Sequence, residues 1–73
     1  MTVDYIKKNK LIDDKQAVLV KLKSGEIVFN NTWQKLEPSA YLGEWIMSAS
    51  VIKISTYIVA GCFVPPIIVL EVA

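Results

Sequence analysis

Between Trp45 and Ala73 only Lys53 and Glu71 carry charge, so 29 residues of almost unbroken apolar chain must be hidden from water. Where that mass goes decides the fold. A helix over Trp45 to Val64 has the ~20 residues needed to span a bilayer, but Lys53 would lie near its middle at a cost of roughly 2.5–3.5 kcal/mol. Moving the window past the lysine takes in Pro65 and Pro66, which remove backbone donors and turn Val64 away from helical dihedrals. From Val51 to Val72, eleven of 22 residues are β-branched, side chains that are stiff at χ1 and suit a pleated sheet. Two strands, Ser50 to Ala60 and Ile67 to Val72, are therefore expected, with a single membrane span as the alternative.

At 73 residues the chain makes one small domain, residues 1–73, of a size that is marginal alone. Its hydrophobic fraction is 53%, more than so small an interior can hold. The surplus needs a partner, and a homo-oligomer joined through the C-terminal strands is the simplest one. The charges balance at +1, with thirteen of the fifteen before Trp45, and there is no arginine to clamp phosphate or read guanine. Nucleic-acid binding has no support in such a balance. One cysteine, Cys62, excludes a disulfide framework and a cysteine-cluster metal site. Met1 to Lys10 has no apolar run of the signal-peptide kind, so the expected compartment is cytoplasmic.

Thr2 is placed to cap a short helix whose Val3 and Ile6 share a face, and Asp13 and Asp14 are turn-formers before the first strand. Ala17 to Asn30 then reads as a hairpin about Ser24 and Gly25. A two-residue loop would oppose Leu22 to Ile27 and Val20 to Phe29 on one apolar side, whereas a three-residue loop would oppose Leu22 to Glu26 and spoil that pattern. The string Val18, Val20, Leu22, Lys23, Gly25 and Val28 resembles the opening hairpin of Sm-like small barrels, and that resemblance implies a ring that binds RNA. It covers about a dozen residues and departs from the family at Asn30, where the pattern wants glycine, and around Gly61 to Pro66, where the second motif is missing.

Trp33 and Leu36 are the expected anchors of the connection from Asn30 to Pro38. Ser39 could cap a short helix carrying Tyr41, Leu42, Trp45 and Ile46 on one face, or Gly43 and Glu44 could turn a hairpin there. In the following strand Ile52, Ile54, Thr56 and Ile58 alternate with Val51, Lys53, Ser55, Tyr57 and Val59. Lys53, Ser55 and Tyr57 thus form one amphipathic strip and, with Trp33 and Trp45 as aromatic surfaces, are the candidate partner- or ligand-binding residues. The unbroken run Ile67 to Leu70 points to a strand buried on both faces.

Catalytic sets are missing. Ser50 and Lys53 spell S-x-x-K, but in a strand that offset puts the two side chains on opposite faces. No histidine serves as a base, and no glycine loop, metal-ligand spacing or cofactor motif is present. The expectation is a mainly β domain, a sheet or partly closed barrel of SH3/Sm-like size with about four to five strands and one or two helical turns. Its expected role is non-enzymatic: a small phage- or mobile-element-type inhibitor or sequestering protein, acting as a homo-oligomer on a host protein or a small anionic ligand.

Overall fold

The computed structural model describes residues 1–37, 43–58, 61 and 66–73. It is mainly β. The described elements are α1 (Val3–Lys8), β1 (Ala17–Leu22), β2 (Ile27–Thr32), a 3-10 turn (Trp33–Lys35), α2 (Gly43–Ser48), β3 (Val51–Tyr57) and β4 (Ile67–Val72). The strands form one open sheet in the order β2-β1-β4-β3, so of the two expected architectures the chain adopts the sheet and not the barrel. β1 runs antiparallel to β2 and parallel to β4, and β4 runs antiparallel to β3.

α1 forms where the cap and apolar spacing place it. The Thr2 hydroxyl accepts the Tyr5 amide at 3.1 Å, and Asn9 closes the other end through its amide bonds to Lys7 and Tyr5 carbonyls. Val3 and Ile6 are its buried residues. They join Trp33, Leu36, Ile46 and Met47 above Val18, Val20, Leu70 and Val72 of the sheet, and among the described residues these ten side chains are the core. Backbone bonds tie the cover to the sheet margin: the Val3 amide donates to the Ala49 carbonyl at 3.2 Å and the Val51 amide to that of Met1 at 2.7 Å. Asp13 makes the expected turn, its carboxylate accepting the Lys15 amide at 2.8 Å and its carbonyl the Gln16 amide at 3.0 Å.

The β1–β2 hairpin corrects the expected loop. Leu22 does oppose Glu26, its amide donating to the Glu26 carbonyl at 2.8 Å, and the loop is the three residues Lys23 to Gly25, with Gly25 at φ +97. A bulge at Val28 absorbs the extra residue, so that Val20 still faces Phe29 while Lys21 faces Ile27. The bulge sends Ile27 to the face away from the helices, and that side chain is 56% exposed. Simple alternation has no means of showing such a compensation.

The continuous helix over Trp45 to Val64 that the membrane-span alternative required does not form. Trp45 to Ser48 belong to α2 and Val51 to Tyr57 to β3, and among the described residues no helix is long and apolar enough to cross a membrane. Ser39, Tyr41, Leu42, Val59, Ala60 and Cys62, which carried parts of the expected helix cap, strand end and turn, lie outside the described residues. α2 itself is helical, with Ile46 and Met47 buried.

Candidate functional site on the open face of the sheet

Helices α1 and α2 and the 3-10 turn lie against one face of the sheet. On the other face the strand registers assemble three rows of side chains. Ile27, Lys21, Glu71 and Lys53 form the first, running across β2, β1, β4 and β3. Asn30, Leu19, Val69 and Ser55 form the second, and Ile67 beside Tyr57 is part of the third. A charged row therefore borders an apolar one. Glu71 stands between two lysines, with the Lys21 ammonium 3.7 Å from its carboxylate and Lys53 directly across on β3.

Leu19, Ile67 and Val69 are half-buried, while Tyr57 is 58% exposed and stands at the margin. Leu19, Ile27, Asn30, Tyr57, Ile67 and Val69 line a shallow cleft of about 380 Å³, with Lys21 and Gly25 at its wall. Leu19, Ile67 and Val69 give the cleft an apolar floor, and Lys21 and Asn30 give it polar edges.

The five candidate residues do not meet in one place. Lys53, Ser55 and Tyr57 share the open face of β3, as their alternation requires, because the bulge in β3 falls between Val51 and Lys53 and leaves the later spacing intact. Trp33 is in the core on the opposite side of the sheet, 1% exposed. Trp45 is on α2, 45% exposed. Sequence reading had no route to Leu19, Lys21, Ile27, Ile67 and Val69 as neighbours of the strip. Their assembly depends on the parallel pairing of β1 with β4, which joins segments some fifty residues apart. The alternation of Leu19 and Lys21 with Val18 and Val20 was visible, but nothing local says which strand lies alongside.

A second cleft, of about 330 Å³, lies on the helix side and is lined by Lys7, Lys10, Ile12, Asp13, Asp14 and Trp33. The Lys7 ammonium sits 4.3 Å from the centre of the Trp33 ring and donates to the Trp33 carbonyl. Desolvation holds its pKa below 10.5, partly opposed by the charges of Asp14 and Glu37. This arrangement closes the cover over Trp33. Among the described residues no polar or charged residue is buried, and no group of three His, Cys, Asp or Glu side chains is placed to hold a metal ion.

No family model matches the chain, and no curated protein or solved structure is detectably similar to it.

Proposed function

We propose that this chain is a non-enzymatic binding protein of the cytoplasm, a homo-oligomer that sequesters or inhibits a partner by holding it on the open face of its sheet. The observation that carries this reading is the pairing of rows there: Leu19 and Val69 supply apolar contact beside a charged row in which Lys21 and Lys53 flank a single carboxylate, Glu71. One acid between two lysines leaves an unbalanced positive charge next to hydrophobic surface. A partner with an acidic group at the edge of an apolar patch matches it in both respects. Small size and the lack of a catalytic residue set fit the inhibitors that phages and mobile elements carry.

Anilinonaphthalene sulfonate, an apolar anion, is a direct probe of this surface. Its fluorescence should rise and shift to the blue on the folded wild-type protein. Val69→Glu, which puts a second acid on the floor of the face, should reduce that signal at least fivefold with the far-UV circular dichroism unchanged, and Lys53→Ala should reduce it less. Equal signals from folded wild-type and Val69→Glu proteins would show that the open face binds nothing of this kind.

A further inference from the structure

β3 is an edge strand with a peculiar distribution of exposure. Of the large apolar side chains that stand out from the surface, Ile52, Ile54, Tyr57 and Ile58 all fall in or immediately after it, at 48 to 71% exposed. Its neighbour on one side is β4, and among the described residues no strand pairs with its other side beyond the first residues. At that beginning the N-terminal segment occupies the edge: Thr2 bridges Ser50, and the Val51 amide donates to the Met1 carbonyl. What is left open runs from Lys53 to Tyr57. Unpaired edge backbone flanked by exposed isoleucines is a template for another strand.

We infer that this edge pairs with the β3 edge of a second copy, antiparallel and about a two-fold axis at Ser55, to give one continuous eight-stranded sheet. The inference rests on the self-association part of the function proposed above and specifies how it occurs. A two-fold pairing of a strand with itself must oppose residues whose numbers have a constant sum, and only a few registers keep the two open faces on the same side. An axis at Lys53 opposes lysine to lysine. An axis at Ile54 requires Val51 to pair with Tyr57, although the Val51 amide is already bonded to Met1. The axis at Ser55 uses only the open segment, Lys53 to Tyr57, and satisfies its chemistry. Lys53 then faces Tyr57 of the second copy, an ammonium beside a phenol ring, and Ile54 faces Thr56 of the second copy on the helix side, a β-branched pair.

This register has a consequence for the binding face. The row Asn30, Leu19, Val69, Ser55 meets its own copy at the axis, so the two apolar floors lie on one face of the joined sheet with the paired Ser55 side chains between them. The charged row of each subunit runs into the Tyr57 and Ile67 row of the other. Association therefore doubles the area of the face without covering it, and the lysine of each copy is set against the aromatic ring of its neighbour.

The axis can be tested by crosslinking. Directly opposed residues in an antiparallel pair have Cα atoms about 4.5 or 5.5 Å apart, within the span of a disulfide. In a Cys62→Ala background, Ser55→Cys should crosslink to itself on mild oxidation at least tenfold more efficiently than Lys53→Cys, whose two copies would lie roughly 13 Å apart along the strands. Light scattering on the wild-type protein should give twice the chain mass, and Tyr57→Lys, which opposes two ammonium groups, should raise the dimer dissociation constant more than tenfold while Tyr57→Glu does not. A wild-type oligomer that crosslinks at residue 53, or at neither position, would overturn the edge pairing and leave self-association standing. A wild-type monomer would overturn both, and the dye measurement on the open face would still stand by itself.

Discussion

The two faces of the sheet share a set of aliphatic side chains that have opposite fates, although only the open face also carries a charged row. Val18, Val20, Leu70 and Val72 are completely buried under the helices, whereas Leu19, Ile67 and Val69, the residues between and beside them, have no element of the described chain above them. Hydrophobicity alone does not tell one set from the other. The difference lies in cover: among the described residues α1 and α2 have six residues each and the 3-10 turn three, and all three lie against one face of the sheet. Among the described residues, helix is too scarce to cover both faces, and Leu19, Ile67 and Val69 stay half-buried on the side that the helices leave open.

The largest test of that difference is to truncate adjacent residues of β4 that point to opposite faces. Leu70→Ala should cost about 2–5 kcal/mol, the range for emptying a packed site, against a total of roughly 4–11 kcal/mol for a domain of this length. Val69→Ala should cost less than ~1 kcal/mol, because its side chain already meets water on one side. Urea denaturation of the two variants measures both. If Val69→Ala were as damaging as Leu70→Ala, the open face would have to be sealed in the native assembly, and the binding surface proposed for it would be lost.

Gly25→Ala tests the hairpin that delivers Ile27 to the open face. A Cβ there would meet no atom within 4 Å, so any penalty comes from holding alanine at φ +97. About 1–2 kcal/mol is expected, with Gly25→Asn milder, and a transition shifted by about 4–8 °C for each kcal/mol would report it. Lack of any shift would mean that the three-residue loop reopens as another turn. On the helix side, Thr2→Ala should cost ~1 kcal/mol by freeing the Tyr5 amide, and Thr2→Ser should restore it. Equal stability of all three proteins would show that tertiary contacts, not the cap, hold α1 in place.

What the sequence made legible was local. The Thr2 cap, the burial of Val3 and Ile6, the anchor Leu36 and the common face of Lys53, Ser55 and Tyr57 all follow from spacing over a few residues. Three features escaped it for separate reasons. The bulge at Val28 repairs the register within two residues and leaves no mark in the alternation. The parallel pairing of Val18 to Leu22 with Ile68 to Val72 is a long-range choice made by packing, so the order of the strands and the assembly of the open face were hidden with it. The role of Trp33 was ambiguous because a tryptophan that fills a core and one that faces a ligand look alike until its neighbours are known, and here Lys7 from α1 lies over its ring.

That lysine gives the smallest and most delicate comparison between the faces, because it is the charge that the helix side partly removes from water. Desolvation lowers its pKa below 10.5 and outweighs the opposite pull of Asp14 and Glu37. With the folded value below the unfolded one, the unfolded chain binds more protons between the two, so this group's contribution to stability rises with pH across that window. Its cost is constant at lower pH and vanishes once pH exceeds 10.5, where the unfolded lysine is also neutral. Lys7→Met removes the titration. The stability of the wild-type protein relative to Lys7→Met should therefore increase as pH is raised toward 10.5, by no more than about 0.5 kcal/mol for a group still largely in contact with water. Chemical denaturation at matched pH values reads the difference, since the remaining lysines and the tyrosines titrate in both proteins. A relative stability that falls with pH would reverse the sign, and would mean that attraction to Asp14 and Glu37 exceeds the desolvation that the packing over Trp33 imposes.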